Sequence, residues 1–327
     1  MNASESGSCS NPCCDYPDVS CNLGHLNPSV CEYINAAKNG DTTNLDPNTT
    51  VFPWTGRAFG LNDLRFVAGC RKPLTVGVVG SHDAGKTTLL AMLFLMLIRG
   101  VLKLDHRQFA GSYTLEGWEG IARWLQQLPQ HPIRFPPHTT SKGERTPGLL
   151  HLTFADKRRV LRDVLITDAP GEWFNNWAKN EDVTDAEGAR WVSRSADKIL
   201  LIADTEALSG KRKGSARNDF QWLARRLHGA ARGRPVALVW TKTDIKRSKQ
   251  LISTIEQHFE ELFPGAPVFS VHVPSEKKDE SNENSHIEEL QSVFAWALTD
   301  SIAMGEYRRP KIDVVDDAFL AYGGSNP

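Results

Sequence analysis

Residues 80–87 read Gly-Ser-His-Asp-Ala-Gly-Lys-Thr and fit the phosphate-loop pattern G-x-x-x-x-G-K-[ST] at every fixed position. The apolar run 74–79 precedes them, and the helix-favouring run 88–98 follows. Between a strand and a helix, such a loop surrounds an anion with backbone N–H groups and the helix N-terminus. The pattern predicts a nucleotide phosphate site, in which Lys86 reaches the β- and γ-phosphates and Thr87 binds Mg²⁺. A glycine turn without a ligand is the alternative.

A second stretch, Asp168-Ala169-Pro170-Gly171, follows the predicted strand 160–167. A carboxylate at the end of a strand can hold Mg²⁺ through a water molecule. Gly171 can offer its backbone N–H to a γ-phosphate, because it has no side chain to block the approach. The stretch therefore predicts a magnesium and γ-phosphate contact.

A third stretch, Thr241-Lys242-Thr243-Asp244, follows the predicted strand 235–240. A carboxylate can accept two hydrogen bonds, from the N1–H and the 2-amino group of guanine. Adenine has neither donor and would leave the carboxylate unpaired. The stretch favours guanine, and a polar turn is the alternative. Ser270, at the end of the next predicted strand, falls where a loop can support the base.

In this order, the three stretches resemble the phosphate, metal and guanine boxes of TRAFAC-clade and Ras-like GTPases, over about residues 73–300. The resemblance implies a P-loop domain that binds GTP or GDP with Mg²⁺ and hydrolyses GTP. Asp168 would be the metal carboxylate, Gly171 would sense the γ-phosphate, and Lys242 and Asp244 would hold guanine. The residues implied to line the phosphates are Ser81, His82, Asp83, Ala84, Gly85, Lys86, Thr87 and Thr88.

Three residues depart from the pattern of these GTPases. Thr241 stands where Asn is usual, although a threonine can still brace the loop. Glu172 replaces the Gln that orients the attacking water. It could accept a proton from water, but its charge would repel the γ-phosphate, so we expect slow hydrolysis that a partner raises. Asp83 replaces an Asn that binds potassium in some relatives. It either attracts a cation or a partner's Arg, or is a plain surface residue.

The stretch between Lys86 and Asp168 is longer than in a minimal Ras-like domain, and we expect partners to attach there. Thr146 is the predicted switch I threonine, preferred over Thr139 and Thr140. Arg145 is either an internal arginine finger or an exposed loop residue. Loops 130–147 and 171–190 are expected to order with GTP and relax with GDP.

Five of the six cysteines lie in the first 31 residues. In an intracellular chain such a cluster favours metal over disulfides, and zinc prefers four thiolate or imidazole ligands. The predicted Zn²⁺ ligands are Cys9, Cys14, Cys21 and Cys31, with Cys13 and His25 as substitutes. A reduced tail without metal is the alternative.

This cysteine-rich segment, joined to a GTPase, is similar to the double-GTPase proteins of prokaryotic GTPase-associated conflict systems. That resemblance implies a regulatory GTPase working beside a second GTPase in a multi-protein, defence-like assembly.

The net charge of −1 is unevenly spread, because residues 51–270 carry 32 basic and 22 acidic side chains. The excess suits a nucleotide or an acidic partner, and a solvated basic face explains it at least as well as nucleic acid does. The N-terminus has neither the basic nor the apolar region of a signal peptide. The longest apolar run, 89–98, is too short to span a bilayer. We therefore expect a cytoplasmic protein without a membrane contact.

Continuous apolar strands alternating with helices predict an α/β fold, a mostly parallel sheet with helices on both faces. The predicted organisation is a cysteine-rich segment (1–35), a linker and N-terminal extension (36–72), a P-loop domain (73–304) and a polar tail (305–327). Two other functions are possible on this architecture: an ATPase or nucleotide kinase, or a non-hydrolysing, nucleotide-bound scaffold.

Overall fold

The structure is a computed structural model, and it describes residues 58–68, 72–104, 106–125, 148–273 and 280–299. Several predicted residues lie outside these ranges. They are the switch I candidates Thr139, Thr140 and Thr146, Arg145, and the cysteine-rich segment with Cys9, Cys13, Cys14, Cys21, His25 and Cys31.

The described residues form a seven-stranded sheet in the order β2-β3-β4-β1-β5-β6-β7. β1 pairs in parallel with β4 and β5, and the parallel pairing continues through β6 to β7. β2 and β3 add an antiparallel edge beside β4. The strands are β1 (Leu74–Val79), β2 (Arg107–Gly111), β3 (Gly148–Asp156), β4 (Leu161–Asp168), β5 (Lys198–Asp204), β6 (Val236–Thr241) and β7 (Val268–Ser270).

Helices cover both faces of this sheet, as predicted. On one face pack α2 (Lys86–Ile98), α3 (Leu115–Ala122) and α9 (Glu280–Leu298). On the other pack α4 (Gly171–Lys179), α5 (Glu187–Ser195), α7 (Lys213–Ala231) and α8 (Lys249–Leu262). The short helices α1 (Leu64–Val67) and α6 (Thr205–Ser209) complete the set. None of the helices in the described part of the chain is long and apolar enough to cross a membrane.

The sequence of β5 explains why it lies at the centre of the sheet. All seven of its residues are buried. Leu200 and Ile202 enter the core beneath α2 and α9, whereas Ile199 and Leu201 enter the core beneath α5 and α7. Successive side chains of a strand point to opposite faces, so only a continuous apolar run can fill both cores.

The segment 171–190, predicted to be a loop, is largely helical. It contains α4, a 3₁₀ turn at Thr184–Ala186 and the start of α5. Trp173, Phe174 and Trp177 are buried against the sheet and α7. Tertiary packing of these aromatic rings stabilises a helix whose polar neighbours suggested a loop. The prediction of a loop here is wrong.

Other element boundaries also differ from the predictions. The sequence pattern predicts an amphipathic helix over 118–128 and no strand at 107–111, whereas β2 forms there and α3 begins at Leu115. The pattern also predicts a helix over 219–228 and an acidic loop over 275–285, whereas α7 begins at Lys213 and α9 begins at Glu280. These helices start in polar turns that lack an apolar repeat, so sequence periodicity places their first residue too late.

A buried histidine fastens the start of α3 to the antiparallel edge. His151 on β3 is 0% exposed, and its Nδ1 accepts the backbone N–H of Tyr113 at 3.0 Å. Its Nε2 lies 3.1 Å from the Asp163 carboxylate. Because Nδ1 accepts, Nε2 carries the proton and donates to Asp163, and this hydrogen bond lowers the pKa of Asp163. The histidine is therefore structural.

Candidate nucleotide site

The three predicted motifs meet at the carboxyl edge of the parallel strands. The phosphate loop follows β1, the Asp168 motif begins at the last residue of β4, and the Thr241 motif begins at the last residue of β6. Asp204, the last residue of β5, is in register with Thr241. Ligands of open α/β sheets bind at this edge, between the loops that leave adjacent strands.

Two residues in the left-handed region shape the phosphate loop. Asp83 has φ of 59°, and Gly85, which caps α2, has φ of 81°. A Cβ atom on Gly80 would lie 2.9 Å from the Cβ of Ile202, so this position requires glycine. The loop therefore turns tightly into the first residue of α2, Lys86, as an anion site requires.

Lys86 is held inside the loop. Its side chain is 7% exposed, and its Nζ donates to the carbonyls of Gly80 at 3.2 Å and Ser81 at 2.8 Å. Burial lowers the pKa of Lys86 to about 8, although Asp168, Asp83 and Asp204 act to raise it. An ammonium group with so little hydration gains strongly from an anionic ligand.

We expect the affinity for GDP to fall as the pH rises through about 8, the pKa of Lys86 in the free protein. Below this pH the ammonium is charged and attracts phosphate. Above it, binding must first reprotonate Lys86, and affinity decreases about tenfold per pH unit. Calorimetry from pH 7 to 9 measures the slope. The control is Lys86→Arg, whose guanidinium stays charged and whose slope reports only titration of the ligand. Equal slopes would contradict the prediction.

Thr87 and Asp168 are brought together from two different elements. The Thr87 hydroxyl donates to the Asp168 carboxylate at 3.0 Å. Hydroxyl and carboxylate oxygens are the ligands that Mg²⁺ prefers, together with water and substrate phosphates. The two groups therefore fit a magnesium ion beside the phosphate loop.

Gly171 packs directly against the phosphate loop. A Cβ atom at this position would lie 2.3 Å from the carbonyl carbon of Ser81 and 2.3 Å from the backbone nitrogen of His82. No other residue fits without moving the loop. Gly171 is also the first residue of α4, so a ligand that displaces it would move the helix. Its neighbour Glu172 is exposed in the first helical turn, where a negative charge also stabilises the helix.

Thr241 makes the contact that a bracing role requires. Its hydroxyl donates to the carbonyl of Ala84 at 2.8 Å and lies 3.5 Å from that of Ala203. The end of β6 is thereby joined to the phosphate loop.

Replacing Thr241 with valine should weaken GDP binding about tenfold, because the buried carbonyl of Ala84 loses its donor while the side-chain shape is kept. Thr241→Ser, which retains the hydroxyl, is the matched control. Calorimetric titration of both variants tests this, and equal affinities would show that the hydroxyl is not needed.

Lys242 and Asp244 occupy the turn after β6. Lys242 has φ of 54°, and its Nζ donates to Asp204 at 3.0 Å and to Glu206 at 2.9 Å. Burial acts to lower the pKa of Lys242, but its bonds to Glu206 and Asp204 outweigh burial and raise it. The ammonium therefore stays charged, and its position is fixed. The Asp244 side chain is exposed to solvent, where it can meet a base.

Ser270 is the last residue of β7 and is in register with Trp240. The next two residues make the contacts with the guanine motif. Val271 accepts the backbone N–H of Thr243 at 3.4 Å, and the Nδ1 of His272 lies 3.3 Å from the Thr243 hydroxyl. Sequence reasoning singled out Ser270 and missed His272, which lies two residues beyond the end of β7.

A family model described as Double-GTPase 2 matches residues 74–297, about two thirds of the chain. The chain belongs to this family. Comparison with curated proteins gave no match.

Membership of the Double-GTPase 2 family supports GTP binding and GTPase function. The match covers all seven strands and nearly all of α9, so it includes every motif at the carboxyl edge. GTPases generally use Mg²⁺, and Thr87 with Asp168 offers oxygen ligands for it.

The other predicted phosphate-loop residues surround the same turn: Ala84 is buried, Thr88 is half-buried on α2, and His82 Nδ1 lies 3.2 Å from the Asp83 carboxylate.

A separate cleft of about 520 Å³ lies on the face of the Double-GTPase 2 domain formed by α4, α5 and α7. Trp222 is 47% exposed there, beside Arg225 and Arg232. Glu181 pairs with two further arginines of the cleft, Arg194 and Arg226. The cleft contains no residue of the three motifs, so we assign it no part in nucleotide binding.

Proposed function

We propose that this protein is a GTP-hydrolysing molecular switch. The observation that carries the proposal is the position of Gly171, which packs on Ser81 and His82 and begins α4. A γ-phosphate bound by the loop would meet the backbone at Gly171, whereas GDP would leave this contact unmade. The difference between the two ligands would then be passed to α4.

In the proposed reaction, Lys86 stabilises the charge that develops on the transferring phosphoryl group, and Gly171 offers its N–H to the γ-phosphate. Mg²⁺, when bound by Thr87 and Asp168, offsets the charge of the β- and γ-phosphates. Water attacks the γ-phosphorus in line, the bond from that phosphorus to the β–γ bridging oxygen breaks, and GDP leaves while the proton of water passes to the phosphate released. Glu172 stands in the first turn of α4 and carries a charge that repels the γ-phosphate, so we infer slow turnover by the protein alone.

Calorimetry with GDP, GTPγS and ADP, together with GTP turnover of the full chain, tests this function. We expect both guanine ligands to bind with Mg²⁺ and ADP to bind at least about 100-fold more weakly. Tight ADP binding would favour an ATPase instead. GTP that persists through long incubation would favour a scaffold, and many turnovers per second by the protein alone would contradict the inference about Glu172.

We further propose a regulatory role in a prokaryotic, defence-like assembly with a second GTPase, in which the partner would bind at the cleft beside α4. Its exposed Trp222 and the cationic Arg225 and Arg232 suit an acidic partner surface. Ala178, which also lines the cleft, belongs to α4, so movement that begins at Gly171 would alter the partner's binding surface.

GTP turnover with and without a purified candidate partner GTPase tests the role. We expect stimulation that Trp222→Ala reduces while the rate of the protein alone is unchanged. Replacing Lys249 with alanine at the exposed start of α8 is the control. The same stimulation in both variants would place the partner on another surface.

Metal content of the full chain and of a variant with serine at Cys9, Cys14, Cys21 and Cys31 tests the proposed N-terminal zinc site.

A further inference from the structure

His272, His286 and Glu289 form a cluster next to the guanine motif. His272 lies in the loop after β7, and the other two lie on α9. One side-chain nitrogen or oxygen from each of the three residues lies within 4.8 Å of the others. The two imidazole rings are 3.6 Å apart at their centroids, with an angle of 71° between their planes. The three side chains therefore converge on one point.

The hydrogen bonding of the two histidines leaves nitrogen atoms for a ligand. Nδ1 of His286 is buried and has no hydrogen-bond partner among the described residues. An unpaired buried polar atom destabilises the folded protein, and a bound ion would remove this cost. Nδ1 of His272 lies 3.3 Å from the Thr243 hydroxyl. If that nitrogen donates its proton to the hydroxyl, Nε2 of His272 remains as a lone-pair donor.

The types and spacing of the side chains match a transition metal better than magnesium. His286 and Glu289 are three residues apart on a helix, so they share a face. Two imidazole nitrogens and one carboxylate oxygen form a set that Zn²⁺ accepts, with a fourth position left for water or another ligand. Mg²⁺ prefers an all-oxygen set. The cluster is thus distinct in chemistry from the Thr87–Asp168 pair.

We propose that His272, His286 and Glu289 bind a Zn²⁺ ion that joins the loop after β7 to α9. Through the contact of His272 with Thr243, the ion would also fix the turn that carries Asp244. This second consequence rests on the proposed guanine site, whereas metal binding does not.

The test uses the full chain, stripped of metal with a chelator and titrated with Zn²⁺ by calorimetry. We expect His286→Ala to bind one equivalent less than the unchanged protein. His228→Gln, an exposed histidine on α7, is the control and should bind as many equivalents as the unchanged protein. Equal zinc stoichiometry and affinity in His286→Ala and the unchanged protein would overturn the proposal. Any Zn²⁺ bound by the N-terminal cysteines is present in both proteins, so it cancels when their zinc equivalents are subtracted.

Two further measurements keep the result interpretable. The first is the difference between the absorption spectra of the unchanged protein and of His286→Ala, both loaded with Co²⁺. This difference should show d–d absorption without a thiolate charge-transfer band, because no cysteine is a ligand of the proposed site. Glu289→Gln, a mild change on a helix, should weaken Zn²⁺ binding at least about tenfold and reduce the rise in Tm that Zn²⁺ produces. A charge-transfer band, or an unchanged Glu289→Gln variant, would contradict the assigned ligands.

GDP titration with and without Zn²⁺ separates the two parts of the proposal. We expect GDP to bind more tightly to the zinc-loaded protein. If zinc binds but leaves GDP affinity unchanged, the link to the guanine turn is wrong. If zinc binds at these residues and no guanine nucleotide binds at all, the proposed function fails and the metal site remains.

Discussion

Replacing Asp244 with alanine should lower the affinity for GDP about 100-fold and remove the preference for guanine. The exposed carboxylate at the end of the β6 turn is the group proposed to accept the N1–H and 2-amino hydrogens. Hydrogen bonds to a charged group contribute about 1.5–3 kcal/mol, and the upper value corresponds to about 100-fold in Kd. Contacts with the phosphates would remain, so weak and unselective binding should persist.

Calorimetry with GDP, IDP and ADP measures this loss directly. The unchanged protein should bind GDP more tightly than IDP, which lacks the 2-amino group, and IDP more tightly than ADP. The three affinities should converge in Asp244→Ala. Asp182→Ala removes another exposed aspartate, outside the three motifs, and should keep the original order. If Asp244→Ala keeps that order as well, guanine is recognised by other residues.

Replacing Lys86 with methionine should remove nucleotide binding yet make the ligand-free protein more stable. Burial lowers the pKa of Lys86 to about 8 from 10.5, so at pH 7 the folded protein holds a charged group that it solvates poorly. This penalty is about 3 kcal/mol. Methionine has a similar length and no charge, although the carbonyls of Gly80 and Ser81 lose a donor. The expected net gain is about 1–2 kcal/mol in the free energy of unfolding.

Denaturant unfolding without nucleotide at several pH values tests the stability, and calorimetry tests GDP binding. Because the folded pKa is lowered, stability of the unchanged protein should rise with pH between about 8 and 10.5, and the advantage of Lys86→Met should shrink over that range. Lys249→Met, at an exposed lysine, should change neither property. A less stable Lys86→Met variant at pH 7 would contradict this argument.

The site was more predictable from sequence than its surroundings were. The phosphate loop, the Asp168 motif and the Thr241 motif each follow a buried apolar strand, and parallel strands place their carboxyl ends at one edge. Local chemistry and a simple topological rule were therefore enough to bring these residues together. β5 and β6 consist mainly of apolar residues, and every residue in them is buried.

What escaped prediction depends on contacts between distant elements. α4 contains Trp173 and Trp177 among polar residues, and it gains its stability by packing on α7. β2 has mostly exposed residues and is defined by its pairing with β3. The histidine cluster joins residues 272 and 286, whose proximity depends on where α9 returns to the sheet. The residue pattern of one segment does not show which distant segments pack against it.

The hydrogen bond from Thr241 to Ala84 joins residues that are 157 positions apart in sequence. In the proposed site, the turn after β6 would hold the base and the loop after β1 would hold the phosphates, and this hydrogen bond would fix the distance between the two. Guanosine and pyrophosphate offered as separate molecules should therefore bind far more weakly than GDP, because each loses the effective concentration that the covalent bond at the ribose 5′ oxygen provides. Each fragment should also raise the affinity for the other, because binding at one loop would restrain the conformation of both.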